Sequence, residues 1–241
     1  WKKRLSAFSV PQQSRAACRP KITPSRETRM IDPRANANGN LAENRIDLKL
    51  IADLVETRPR VSDIGYGNWL LTGLLVNERG ADARGLELSQ QGVNACVARG
   101  LSVVQGSADT DLSYYPDQGF DTVILSQTLQ ATQRPKDVLI EMSRIGSRLI
   151  VSIPNFGHWK IRLDLALRGR MPETRALSAS WYETANIHLC SMLDLIDLCD
   201  AVSLRVETCL TVTKGKVSRT SGRPSAWQNL TAELVVLELT R

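Results

Sequence analysis

The sequence predicts an α/β protein with a mostly parallel, seven-stranded sheet and an antiparallel C-terminal strand. Three observations support this fold class. From residue 45 onward, short apolar runs alternate with segments of helical periodicity. Most of the runs are nearly continuous in apolar residues, as expected for parallel strands that helices cover on both faces. The last two runs have no helical pattern between them, so we expect them to pair antiparallel.

The predicted elements begin with a helix at 45–56, whose apolar residues fall mostly on one face. The next strands are predicted at 60–65, 83–88, 101–106, 120–126 and 148–154. Helices are predicted between them at 69–79, 90–99 and 134–145. A helix at 191–202 precedes the final strands, 204–212 and 232–239, which flank a basic loop at 214–229. Parallel strands closed in this way indicate a Rossmann-like class I methyltransferase fold rather than an all-parallel dinucleotide fold.

The formal net charge of +6 belongs to the first 44 residues. They contain nine Lys/Arg and three acids, whereas residues 45–241 contain 22 of each sign. A neutral domain without a basic stripe gives no support to nucleic-acid binding. No apolar run approaches the ~18 residues that a membrane span needs. The sequence therefore predicts neither a nucleic-acid nor a membrane partner.

Residues 1–44 form a basic leader with four prolines, few apolar residues and no periodicity, which predicts disorder. Because the chain starts at Trp1 and Met30 lies shortly before the periodic part, our first hypothesis is that much of residues 1–29 is not native. A targeting segment is the alternative. Residues 45–241 are predicted to be one methyltransferase-like domain. Within it, residues 155–190 are rich in polar and aromatic residues and are expected to form a lid or interface insertion.

The five cysteines are scattered, with no CxxC pair and no histidine cluster beside them. This pattern predicts buried thiols in a reducing compartment and no metal site. It does not predict a disulfide framework.

The stretch "VSDIGYGNW" carries the clearest signal of a ligand site. Asp63, Gly65 and Gly67 end the first strand, where glycines let a backbone approach a ligand beside a helix N-terminus. Glu87 ends the second strand 22 residues after Gly65, a spacing that places a carboxylate on a ribose. The alternative is that the glycines only turn the chain.

The third and fourth strands also end in polar residues. Ser107 follows the third strand, where an acid or polar pair is expected at the adenine edge, and Asp109 comes slightly late. Ser126 and Gln127 end the fourth strand, where the amino-acid end of S-adenosylmethionine would lie. A helix cap is the alternative role for the latter pair.

From about residue 45 to 241 the chain resembles the MetW family of methionine-biosynthesis proteins. The stretches that carry the resemblance are "YPDQGFDTVILSQTLQ", "RPKDVL", "VSIPNFGHWKIRL", "LRGRMPETRAL", "WYETANIHLC" and "LDLIDLC". The resemblance implies a cytoplasmic bacterial protein with a class I methyltransferase fold and S-adenosylmethionine as cofactor. It also implies a physical partner, the homoserine O-acyltransferase of methionine synthesis.

The sequence departs from the family pattern where the cofactor would bind. Trp69 replaces the third small residue of the loop, and Ser107 replaces an acid after the third strand. A small third residue lets helix and strand pack closely, and losing an acceptor for a ribose or adenine hydrogen bond costs about 1–3 kcal/mol. We therefore expect cofactor binding to be weakened by roughly tens- to thousands-fold.

Residues 155–190 contain the candidates for catalysis and for partner binding. Asn155 could orient a substrate amine, and His158 could serve as the base that methyl transfer needs. A structural or interface role is the alternative for His158 and for the second histidine, His188. Aromatic and arginine side chains supply most interface hot spots. The predicted partner interface comprises Phe156, Trp159, Arg168, Arg170, Trp181 and His188. A methyltransferase and a non-catalytic activator of the acyltransferase both remain open.

Overall fold

A computed structural model describes residues 45–65, 69–174, 177 and 179–241. These residues include all of the predicted methyltransferase-like domain except 66–68, 175–176 and 178. The predictions made for the leader (1–44) and for Gly67 lie outside the described part of the chain.

The described chain contains one eight-stranded sheet with the order β3-β2-β1-β4-β5-β8-β6-β7. Strands β1 to β5 are parallel to one another, and β8 is antiparallel to both β5 and β6. The strands are β1 (Arg60–Ile64), β2 (Asp82–Glu87), β3 (Ser102–Gln105), β4 (Phe120–Ser126), β5 (Gly146–Pro154), β6 (Arg205–Thr213), β7 (Lys216–Ser221) and β8 (Leu234–Thr240). The predicted α/β class, with a mostly parallel sheet and antiparallel C-terminal strands, is confirmed.

Helices cover both faces of the sheet. They are α1 (Ile46–Leu54), α2 (Trp69–Arg79), α3 (Gln90–Val97), α4 (Pro135–Ile145), α5 (Trp159–Arg168), α6 (Met192–Ala201) and α7 (Ala226–Thr231). Apolar side chains of α1 and α2 form one core with β1 and β8. Side chains of α4 and α6 form a second core on the opposite face. Because each central strand faces both cores, its apolar residues are nearly continuous.

The strand order reverses between β1 and β4. From β1 the chain moves outward to β2 and β3, then returns to the other side of β1 as β4. In open α/β sheets, the loops at such a reversal separate and leave a crevice outside the carboxyl ends of the strands. The residues after β1, β2, β3 and β4 therefore define the place where a ligand site is expected.

The C-terminal region has one strand more than the seven predicted. The segment expected to be a basic loop contains β7, which pairs antiparallel with β6 through a tight turn at Lys214 and Gly215. Both turn residues have positive φ, +49° and +78°, as a two-residue turn that matches the strand twist requires. The strand was missed because every residue of β7 except Thr220 is exposed, so it carries no apolar run.

Three of the cysteines, Cys96, Cys199 and Cys209, are buried, and Cys190 is half-buried. None forms a disulfide within the described residues. Burial raises the pKa of the Cys199 and Cys209 thiols to about 12, which keeps them protonated and unreactive. In the part of the chain that the structure describes, no helix has the length and apolar character to cross a bilayer.

We predict that Leu139→Ala lowers the free energy of unfolding by about 2–5 kcal/mol, because Leu139 is fully buried between α4 and the sheet. Ile140→Ala on the same helix is the matched control, because Ile140 is 40% exposed and should cost under about 1 kcal/mol. Urea unfolding of both variants measures the difference. Equal losses in the two variants would contradict this assignment of the core face.

Candidate functional site

An apolar cleft lies at the carboxyl ends of β1, β2 and β3. It contains about 410 Å³ of empty space, counted out to open solvent. Its walls come from the strand ends and from the turn after β4, and they include Gly65, Leu86, Ser107, Ala108, Thr128 and Thr132. The structure therefore brings Gly65 and Ser107, two of the predicted binding residues, to one crevice at the strand reversal.

Asp63 is buried at the end of β1 and faces α2. The Thr72 hydroxyl donates a hydrogen bond of 2.7 Å to Asp63 Oδ2, whereas Oδ1 is buried with no partner in the described residues. Burial raises the pKa of the Asp63 carboxyl to about 6, although the Thr72 hydrogen bond and the charge of Arg45 act in the opposite direction. Asp63 therefore offers an unused acceptor beside Gly65.

Trp69 begins helix α2, and its indole contacts Arg99. The guanidinium carbon lies 3.8 Å from the ring centroid, a cation–π arrangement that holds the indole toward the end of α3. Trp69 also borders a narrow crevice that it shares with Asp63 and Glu87. Trp69, which takes the place of the third small residue of the loop, thus lies beside Glu87, the carboxylate predicted to bind the ribose.

Glu87 ends β2 with its carboxylate packed against the first turn of α3. Its Oε1 accepts hydrogen bonds from the Ser89 backbone N–H at 2.9 Å and from the Ser89 hydroxyl at 2.8 Å. A Cβ atom added at Gly92 would lie 2.6 Å from the carboxyl carbon of Glu87, so only glycine leaves room for this arrangement. The negative charge is stabilised by the helix N-terminus.

Acidic side chains of the turn after β3 accept backbone hydrogen bonds that fix its position. The Ser107 backbone N–H donates to Asp111, and the Ser107 hydroxyl accepts from the Asp109 N–H at 3.2 Å. The Asp109 carboxylate in turn accepts the backbone N–H groups of Gln133 and Arg134 before α4. Ser107 and Asp109 both line the cleft, so the acid that comes late in the sequence still reaches it.

Ser126 and Gln127 contact Asp47 of α1. The Asp47 carboxylate accepts hydrogen bonds from the Ser126 hydroxyl at 3.2 Å and the Gln127 amide at 3.0 Å, and Arg45 donates to both of its oxygens at 2.8 Å. Gln127 has a φ of +49°, a left-handed conformation that non-glycine residues rarely adopt. The predicted pair is therefore anchored by a carboxylate that the sequence pattern did not single out.

Asn155 is 1% exposed, and its side chain is fully hydrogen-bonded to backbone groups. Its amide nitrogen donates to the carbonyls of Asn229 and Ala232, and its oxygen accepts from the N–H groups of Gly157 and Met192. All four bonds measure 2.7–3.0 Å. In this arrangement the amide joins the segment after β5 to the start of α6 and the end of α7 and has no group left to orient a substrate.

His158 is the N-cap of α5. Its Nδ1 accepts the Lys160 N–H at 3.3 Å, and burial lowers the pKa of the imidazole. The side chain is therefore neutral and already used as a cap. His188 is exposed, and its backbone N–H donates to the carbonyl of Gln130.

The predicted insertion contains helix α5, which the sequence did not predict. Ile161 is the only buried residue of α5, a helix that is described over its whole length, whereas Trp159, Leu163 and Leu167 are exposed at four-residue spacing. Leu167 is 75% exposed. These three residues form one apolar stripe along the helix surface.

Next to α5 lies a groove of about 910 Å³ of empty space, counted out to solvent. Phe156, Met171, Trp181, Ile187 and Leu189 line it. Trp181 and Tyr182, each 71% exposed, pack edge to face with ring centroids 5.7 Å apart. We call the α5 stripe and the groove together the 156–189 surface. It includes Phe156, Trp159, Trp181 and the exposed Arg168, Arg170 and His188, which were predicted as interface residues.

The turn at Gln130 connects this surface with the cleft. The Gln130 carbonyl accepts the N–H groups of Ile187 and His188, both at 2.9 Å, and its neighbour Ala131 lines the cleft. Within the described residues, no group of three or more His, Cys, Asp or Glu side chains is arranged to hold a metal ion.

The fold is that of S-adenosylmethionine-dependent methyltransferases. One similar structure is such an enzyme from Thermotoga maritima, with a TM-score of 0.60 and 18% identity over 86% of this chain and 95% of that one. Another comes from Archaeoglobus fulgidus, with a TM-score of 0.56 and 11% identity over 86% of this chain and 100% of that one. At such low identities the likeness shows the fold alone.

The family model of the methionine biosynthesis protein MetW matches residues 45–239, and the chain belongs to this family. A relative, the bifunctional methionine biosynthesis protein MetXA/MetW of Rhodopirellula baltica, is 27% identical over 171 residues. The match covers 67% of this chain and 27% of the relative, so the chain spans about a quarter of that protein's length.

We predict that ionisation of Asp63 lowers the free energy of unfolding as the pH rises from about 4 to about 6. The folded-state pKa of about 6 exceeds the usual 3.8, so the unfolded chain releases the proton first and ionisation favours unfolding. The free energy of unfolding of the native chain, relative to Asp63→Asn, should fall by about 3 kcal/mol over this range and then stay constant.

Urea unfolding at a series of pH values measures this difference. Thr72→Val removes the hydrogen bond that lowers the Asp63 pKa, so it should move the transition to higher pH. Parallel pH profiles for the native chain and Asp63→Asn would show that Asp63 is not the titrating group.

Proposed function

We propose that this protein is a non-catalytic binding partner of homoserine O-acyltransferase and retains a cleft for an S-adenosyl ligand. The observation that carries the proposal is the 156–189 surface. Its apolar stripe, its groove and its arginines are exposed in the described chain. A cytoplasmic location belongs to the same proposal, because the family resemblance implies it.

The 156–189 surface has the composition of a protein interface. Large exposed apolar patches mark interaction sites in soluble proteins, and Trp, Tyr and Arg dominate interface hot spots. Trp159, Trp181 and Tyr182 supply the aromatic anchors, and the exposed Arg168 and Arg170 lie at and just after the C-terminal end of α5. The relative from Rhodopirellula baltica is named as MetXA and MetW in one chain, which supports an acyltransferase as the partner.

The two residues predicted to act in catalysis, Asn155 and His158, are engaged in structural hydrogen bonds. The Asn155 amide is saturated by four backbone hydrogen bonds, and His158 is buried as a helix cap. Methyl transfer needs a deprotonated nucleophile aligned with the sulfonium, and a base must reach its proton. This arrangement favours binding over catalysis.

Two features support an S-adenosyl ligand: the apolar walls of the cleft, and an orphaned acceptor in the narrow crevice beside it that also contains Gly65. Apolar walls and the polar turn at Ser107 suit a purine. Asp63 Oδ1, buried and without a partner among the described residues, suits a cationic or hydroxyl group. Such a ligand, when bound, would supply a sulfonium methyl group. Retention of Asp63, Gly65 and Glu87 is the observation that keeps a methyltransferase as the second candidate function.

We predict that Trp159→Ala and Trp181→Ala each weaken binding to the acyltransferase by at least about tenfold, because each removes a large exposed anchor. Arg170→Ala should weaken it less. Affinity for the purified homoserine O-acyltransferase can be measured by biolayer interferometry.

Tyr114→Ala is the matched control, because Tyr114 is an exposed aromatic residue outside the 156–189 surface. It should bind like the native chain. Native affinity in both tryptophan variants would exclude this surface as the interface, and absence of any complex would overturn the partner proposal.

We predict that S-adenosylhomocysteine binds the native chain weakly and Trp69→Gly more tightly. The substitution removes an indole that lies beside Glu87 and restores the small third residue with which helix and strand pack closely. Isothermal titration calorimetry on both proteins measures the two affinities.

Trp227→Gly is the control, because Trp227 is an exposed tryptophan outside the cleft-lining residues. It should leave the affinity unchanged. Absence of binding heat at millimolar ligand in both the native chain and Trp69→Gly would overturn the ligand proposal and the methyltransferase alternative together.

A further inference from the structure

We propose that the α5 stripe binds an amphipathic helix of the partner, and that this helix carries a row of acidic, basic and acidic side chains beside its apolar face. The inference rests on the partner proposal above and deepens it, because it names the chemistry of the segment that the surface recognises. The order of charges along α5 is the observation that supports it.

A row of charged side chains runs along α5 beside the stripe. Lys160, Asp164 and Arg168 recur at four-residue spacing, each one position after a residue of the stripe. Residues four apart lie on one face of a helix, and one position corresponds to a rotation of about 100° about its axis. The stripe is therefore flanked on one side by charges in the order positive, negative, positive.

The side chains of this row are only weakly engaged within the protein. Lys160 and Arg168 are exposed, and Asp164 is half-buried. Arg168 Nη1 lies 3.6 Å from Asp164 Oδ1, a surface ion pair that contributes little in water. The Lys160 ammonium lies 5.8 Å from the Trp159 ring centroid, beside the stripe, and among the described residues it has no carboxylate within ion-pair distance. The row can therefore pair with charges of a partner.

A second copy of this chain does not match the row. In an antiparallel pair of α5 helices related by a two-fold axis, the same flank of each helix meets itself. With the pair centred on Leu163, Asp164 would meet its own copy, and Lys160 would likewise meet Arg168. Like charges placed against each other cost free energy, which disfavours this pairing. The complementary row is acidic, basic, acidic, and this order is the same in both directions along a helix.

The spacing of the stripe and the needs of a backbone both favour a helix as the occupant. Side chains four apart on any α-helix are separated by a rise of about 6 Å, so a ridge of one helix packs into a groove of the other. An extended segment would leave backbone N–H and C=O groups unpaired against the side chains of α5, whereas a helix pairs its own. An amphipathic helix is thus the segment that satisfies the stripe and the row together.

The test reverses one charge at a time and measures affinity for purified homoserine O-acyltransferase by biolayer interferometry. Lys160→Glu and Arg168→Glu should each weaken the complex by about tenfold or more, because each places an acid against an acid. Asp164→Lys should also weaken it, because it places a base against a base. A partner surface that is acidic throughout predicts the opposite for Asp164→Lys, namely tighter binding.

Lys49→Glu and Glu78→Lys are the matched controls. They make the same changes of charge at exposed positions on α1 and α2, outside the 156–189 surface. Both should bind like the native chain, which separates the row from a general effect of net charge. Asp164→Asn removes the charge without reversing it, so its effect should be smaller and of the same sign as that of Asp164→Lys. Thermal unfolding of each variant shows whether the fold is kept.

Hydrogen exchange of the acyltransferase, measured with and without the native chain, identifies the segment of the partner that becomes protected. That segment should be a helix with apolar residues at four-residue spacing and the acidic, basic, acidic row beside them. Protection confined to segments without this pattern would overturn the inference.

The outcomes separate this inference from the partner proposal. Tighter binding by Asp164→Lys would overturn the inference alone. So would native affinity in all the charge variants while Trp159→Ala and Trp181→Ala lose binding. Absence of any complex with the native chain would overturn the partner proposal and the inference together. A dimer of the native chain that Leu163→Glu abolishes, measured by analytical ultracentrifugation, would assign the stripe to a second copy and overturn the inference.

Discussion

The buried carboxylate of Asp47 is the interaction on which the candidate site depends. A charge that is taken out of water is tolerated only when it is paired and hydrogen-bonded. Arg45, Ser126, Gln127 and Ser152 all donate to this one group. It therefore ties helix α1 to the ends of β4 and β5 and holds the left-handed backbone at Gln127.

Around this site, the residues predicted to bind a cofactor or substrate make contacts within the protein. Glu87 is held against α3 by Ser89, and the Trp69 indole lies beside it under Arg99. Asn155 and His158 stabilise the chain around the start of α5 instead of facing a substrate. Fold does not fix function, and the exposed 156–189 surface is the feature on which the partner proposal rests.

Most of the sheet could be predicted because its signal is local. The apolar run of β4 and the periodicity of α2 agree with the structure at both ends. Helix α5 was missed because only Ile161 is buried, so the helix has no amphipathic pattern directed at a core. Strand β7 was missed because it is an exposed edge strand. Asp47 was missed because a charged residue in a helix is ordinarily a solvated one.

By itself, the sequence determined the order of most strands and helices, the loop at Asp63 and Gly65, and the family to which the chain is similar. These features follow from local patterns of apolar residues, glycines and spacing. Tertiary structure decided which polar residues meet: Arg45 with Ser126, Asn155 with Asn229 and Met192, Trp69 with Arg99. Such contacts join residues far apart in the chain, and their geometry exists only once the sheet has brought the ends of its strands to one edge.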